Sequence, residues 1–234
     1  MPAKPRGMSH YDESPINPIP PVVMLLSLAI VLPELAFQLA ERGLIGGPEA
    51  VGWRLAMVNR FAFVDQTFDR MVELGLYPWE HVIRFVTYPF VHASFVQAIF
   101  ALVFVLALGK MVGERFSGLA VIVVFFGSSI FAALVYGLLL NEDFPLFGGF
   151  PPAYGLIGAY TFLYWLKQVA TGGPQSQAFM LIVFLMGIQL VFGLIFGPRN
   201  DWVADLAGFI AGFGLSFLVV PGGTQRLVDW LRSR

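Results

Sequence analysis

Six stretches of this chain are apolar for long enough to cross a lipid bilayer. They fall at about residues 21–40, 95–112, 119–140, 151–169, 178–196 and 203–220. A hydrocarbon core of about 30 Å needs roughly 20 apolar residues in a helix. Backbone polar groups have no water there, so an α-helix is the form such a run takes. Breakers separate the runs: Ser117-Gly118, Asn141-Glu142-Asp143, Gly172-Gly173-Pro174, the Pro198–Asp201 turn and Pro221-Gly222-Gly223. The sequence therefore predicts an all-α membrane protein, a six-transmembrane-helix bundle. One membrane domain is expected over 21–221, without a second domain. It is flanked by a polar, Pro-rich tail over 1–20 and an amphipathic tail over 222–234.

Composition agrees with this and excludes other classes. Hydrophobic residues make up 57% of the 234 and charged residues 12%. The charged share is about half of the usual figure of roughly 25%, too little to cover a soluble domain of this size. The net charge of −1 gives no basic footprint for nucleic acid. With no Cys, disulfides, thiolate catalysis and thiolate metal sites are excluded. No HExxH spacing or phosphate-binding Gly-rich loop occurs, so neither a metal nor another cofactor is expected.

Lys and Arg in short connections set orientation. Lys4 and Arg6, Lys110 and Arg115, Lys167, and Arg226, Arg232 and Arg234 fall on one side, and only Arg199 falls in the short loops opposite. Both termini are expected in the cytoplasm. No cleavable signal follows Lys4 and Arg6, and no organelle-targeting segment is seen. A multi-pass protein of a bacterial inner membrane is the expectation. The long first loop, 41–93, interleaves five Arg with Trp53, Phe61, Phe63, Phe68, Tyr77, Trp79 and Tyr88. That mixture suits helices lying in the interface plane.

With so few charges, each one inside a span needs a reason. Glu34, one turn before Gln38, is expected to pair with an Arg of the first loop. Asp201 reads as a helix cap and Asp205 as a deeper carboxylate on the same face. Ser128 and Ser129 are expected to bond their own helix or to fill a helix contact. Gly208 and Gly212, with Gly155 and Gly158, offer small faces for close helix packing.

Arg84-Phe85-Val86-Thr87-Tyr88-Pro89-Phe90-Val91-His92, then Gly109 and Glu114-Arg115-Phe116-Ser117-Gly118, then Tyr154-Gly155-Leu156-Ile157-Gly158, then Asp205-Leu206-Ala207-Gly208 through Gly212 stand in that order. Together, over about 80–215, they resemble the landmarks of rhomboids, the intramembrane serine protease superfamily. The resemblance implies a rhomboid-like bundle with a long interfacial first loop. It also implies where the chemistry would sit. Registered on Gly155 and Gly158, the nucleophile position falls on Phe150, and the base position falls on Asp205 where active members carry His. Registered on His92, the two oxyanion-supporting positions fall on Gln97 and Ala101. No Ser occurs between Ser129 and Ser176, so a small register error does not restore a nucleophile. Without nucleophile and base there is no route to an acyl-enzyme.

The expected function is that of a rhomboid pseudoprotease. Such a protein would bind transmembrane helices of partner proteins, and lipid, through apolar surface rich in Phe and Met. It would serve as an assembly, quality-control or regulatory factor, or as an accessory subunit of a multi-subunit membrane complex. Two alternatives carry different chemistry. One is an intramembrane protease with displaced groups, using Asp205 and a hydroxyl such as Tyr154. The other is a small transporter or channel using Glu34, Asp205 and Gln189.

Overall fold

The computed structural model describes residues 18–197 and 200–220. Most of the Pro-rich tail, Arg199 and the amphipathic tail over 222–234 lie outside the described residues.

Each long helix starts and stops where the local chemistry directs. α1 (Pro21–Glu41) opens on a proline, whose fixed φ and missing N–H suit the first helical position. α6 (Phe95–Arg115) is capped by Ser94, whose Oγ accepts the Gln97 N–H at 3.2 Å. α7 (Gly118–Leu139) is capped in the same way by Ser117, which accepts from Ala120 at 3.1 Å. α8 (Phe150–Thr171) carries prolines in its first turn and stops at Gly172, φ +69°. α9 (Met180–Phe196) follows a 3₁₀ turn, Gln175–Phe179, and α10 (Asp201–Val219) completes the bundle. Between α1 and α6 the first loop forms four short helices: α2 (Trp53–Phe61), α3 (Asp65–Leu74), α4 (Trp79–Val82) and α5 (Arg84–Thr87). These present large apolar side chains outward, among them Leu55, Leu74, Tyr77 and Trp79.

Five segments among the described residues are long and apolar enough to cross a membrane: α1, α6, α7, α10 and the Gln175–Ile195 stretch that contains α9. The sixth expected span, α8, is as long at 22 residues but is not among the five. Its prolines, glycines and tyrosines lower its hydropathy, and its surroundings explain why that is tolerated. It packs against α6, α7 and α10 and buries every residue from Pro151 to Ala159. A helix buried on all faces by protein needs packing surface more than lipid affinity.

The tightest seam lies between α8 and α10. A methyl group at Gly212 would overlap the Gly155 carbonyl, one at Gly208 the Pro151 carbonyl, and one at Gly158 the Phe209 carbonyl. On the other face of α8, Gly155 leaves room for the buried Ser128 side chain. Ser129 and Ser216 bond back to their own helices, to Phe125 O at 2.8 Å and Gly212 O at 2.7 Å. α9 contrasts with this seam. Ile182 is buried, but Val183, Phe184, Val191 and Ile195 are exposed, and Leu194 is 87% exposed.

Candidate functional site

The site is built around the turn that feeds α8. Residues 144–149 run back under the first loop, and Phe63 and Leu146 form a two-residue antiparallel bridge, N–H to O at 2.9 and 2.8 Å. Asp65 Oδ2 accepts the Glu142 N–H at 2.8 Å, and Gln66 donates to Asp143 at 2.6 Å. The turn then reaches its closest approach. The Gly148 N–H donates to Tyr88 O at 2.9 Å, and the Gly149 N–H donates to His92 Nε2 at 3.2 Å. Gly148 has φ +98°, and a side chain there would also meet the Gln97 amide. A methyl at Gly149 would sit 3.2 Å from both the Ala101 Cβ and the Pro89 carbonyl. The small Ala101 is what lets the turn come in this far.

 Phe150, Asp205 and Gln97 line one cavity of about 360 Å³, together with Pro151, Gln189, Phe192 and Asp201. Asp205 is buried, and its Oδ2 accepts a hydrogen bond from Gln189 Nε2 at 2.7 Å. Gln189 Oε1 in turn accepts from the Tyr154 hydroxyl at 3.4 Å. A polar line thus runs from α8 through α9 to α10. Among the described residues, no Ser, His, Lys or Arg lines this cavity. Gln97 spends its Oε1 on the Ala93 N–H at 2.9 Å, which fixes the amide against the Gly148 turn.

His92 lies behind the turn rather than in the cavity wall. Burial pushes its imidazole down to about 4, against the smaller opposing influence of Glu34. A neutral ring is also what the geometry requires, because Nε2 acts as an acceptor. Nearby, Arg54 fills the role expected of a first-loop arginine. It donates to Glu34 Oε1 and Oε2, each at 2.7 Å, to Glu41 at 2.7 Å and to the His92 carbonyl at 3.2 Å. It also stacks over Phe37. Glu34 is therefore a paired carboxylate that ties α1 to α2.

The remaining motif residues stand elsewhere. Arg84 is half-buried on α5, and its Nε has no hydrogen-bond partner among the described residues. Glu114 and Arg115 lie at the far end of α6, about 30 Å from its start by helical rise, where Glu114 pairs with Lys110 at 3.8 Å. Gly155, Gly158, Gly208 and Gly212 shape the α8–α10 seam rather than the cavity floor, and Tyr154 faces Gln189 of α9. The sequence grouped Gln189 with Asp205 only under the transport alternative; the hydrogen bond between them comes from the structure.

A helical membrane bundle with a turn held beneath its first loop is the class this geometry defines. The family model for the Rhomboid domain matches residues 79–222. The chain belongs to the rhomboid family. No curated protein matches it.

Proposed function

We propose that this chain is a non-catalytic rhomboid-family protein that binds transmembrane segments of partner proteins. In that role it would act as an assembly, quality-control or regulatory factor, or as an accessory subunit of a larger membrane complex. The observation that carries the reading is the cavity wall. Phe150 and Asp205 share it, at the positions where the family motif would put nucleophile and base, and among the described residues the wall has no serine or histidine. A serine without a base is a weak nucleophile, and here both members of the pair are replaced. What the site offers instead is apolar surface from Phe150 and Phe192 beside an exposed, Phe- and Met-rich α9, a surface type that adapts to varied partners.

Two measurements test this. A fluorophosphonate probe is expected to leave the purified protein unlabelled. Purification in native lipid is expected to recover a membrane protein in stoichiometric amount; repeated isolation of the chain alone would sink the binding reading.

One observation favours a second reading, an atypical protease. The Tyr154–Gln189–Asp205 line joins a hydroxyl to a buried carboxylate. Gln189 stands between them, so Asp205 does not touch the hydroxyl it would have to activate. Cleavage of a transmembrane substrate that is lost in Asp205→Ala would reverse the ranking. A transport reading has less support, because Arg54 neutralises Glu34.

We place the chain in a bacterial inner membrane with both termini in the cytoplasm, α8 making the sixth crossing. The absence of Cys makes this simple to check. A single cysteine introduced at Gly172 should react only from the cytoplasmic side, and one at Asp143 only from the other.

A further inference from the structure

At the end of the bundle away from the Gly148 turn, a cavity of 570 Å³ opens between the last turn of α6 and the second half of α8. Arg115, Lys167, Tyr160, Tyr164 and Glu114 line it. The cavity is separate from the Phe150–Asp205 site, and nothing in the proposed function uses it.

Its charges do not cancel internally. Glu114 is engaged by Lys110, outside the lining. Among the described residues, neither Arg115 nor Lys167 has a carboxylate partner. The two cations come from different helices and converge on one space. Arg115 alone would be explained as a basic residue at a helix C-terminus. Lys167 stands before the last turn of α8 and has no such explanation. Tyr160 and Tyr164 add two phenolic hydroxyls from adjacent turns, their rings parallel at 6.5 Å. An Arg fork, an ammonium and hydroxyl donors around one cavity match a phosphodiester. Leu163 and the exposed Met111 share the lining, apolar surface that fits acyl chains better than water. Basic pockets between membrane helices on the cytoplasmic side are suited to anionic headgroups.

We propose that the Arg115–Lys167 cavity binds the headgroup of an anionic phospholipid, its phosphodiester held between the guanidinium and the ammonium. The occupant is a lipid of the bilayer and not a soluble phosphate, because apolar side chains, Met111 and Leu163, share the lining with the cations. The proposal stands independently of the partner-binding function.

The test titrates the full-length protein in detergent with phosphatidylglycerol or phosphatidylcholine and reads bound lipid by native mass spectrometry. Phosphatidylglycerol is expected to bind at least about tenfold more tightly, with about a fivefold loss for each cation removed. Arg115→Gln with Lys167→Gln should bring it to the level of phosphatidylcholine. If the double variant does not fold, Lys167→Gln alone decides, since Lys167 is exposed. Equal binding of the two lipids by the unmodified protein would overturn the proposal. So would a preference left undiminished by loss of Lys167, or displacement of the lipid by millimolar inorganic phosphate.

Discussion

The α8–α10 seam and the α9 wall lie side by side but are held in different ways. In the seam, backbone meets backbone: Gly158, Gly208 and Gly212 each admit a carbonyl where any Cβ would collide. Association of helices in lipid depends on such packing, because water gives no hydrophobic drive there. Along α9 the glycines Gly187 and Gly193 face nothing within 4 Å, most large side chains point outward, and Gln189 reaches the bundle through Asp205. Close packing makes the first region rigid; a polar contact leaves the second free to adjust. In a rhomboid bundle that binds other helices, the adaptable wall is the one expected to receive them.

The contrast can be broken or sharpened by substitution, and the largest effect is expected away from both regions. Arg54→Ala leaves Glu34 buried without its partner and should cost about 3–5 kcal/mol, seen as a loss of folded protein in a denaturant titration in detergent. A smaller loss would mean that Glu34 finds another donor. In the seam itself, Gly212→Ala is expected to cost about 3 kcal/mol, because the Gly155 carbonyl must move. If its melting temperature stays at the wild-type value, the seam is less tight than the geometry implies.

Next in size is a pH effect at the turn. His92 has a folded pKa of about 4 because it is buried, below the usual value of about 6.5. The unfolded chain therefore binds the proton more readily. Stability is full above the usual value and falls as pH drops toward 4. Between pH 7 and 5 the expected loss is about 2 kcal/mol. His92→Gln should flatten that slope; an unchanged slope would assign it to other groups.

On α9 the effects are smaller. Gln189→Leu removes two hydrogen bonds, to Asp205 and from Tyr154, and should cost about 1 kcal/mol, while hydrogen exchange along α9 rises and that of α10 stays put. Gly187→Ala has room and a better helix former, so no loss is expected and a gain of up to about 1 kcal/mol is allowed. A seam-sized loss from either would erase the distinction between the two regions.

The spans were legible because lipid imposes a length and an apolar composition on each helix. α8 shows where that signal weakens: its surroundings are protein, so its prolines and tyrosines carry no penalty, and length and motif mark it better than hydropathy does. The site was partly legible. Motif spacing placed Phe150, Asp205 and Gln97 at one locus, and they line one cavity. The hydrogen bond from Gln189 to Asp205 was not legible, since Gln189 lies on another helix and no spacing rule links the two. Likewise a pairing of Glu34 with a first-loop arginine followed from the cost of a bare carboxylate. Which of five arginines it would be depended on how α2 docks on α1.

The bridge between Phe63 and Leu146 has a consequence for the order of assembly. Its two strands are separated in the chain by all of α6 and α7, as are Asp65 and Glu142. A contact across so long a loop cannot form until the intervening helices are in place. During synthesis from the N-terminus, the first loop must wait for both of them. The turn that shapes the cavity thus closes only after α6 and α7, and it fixes the start of α8 for the helices that follow in the chain.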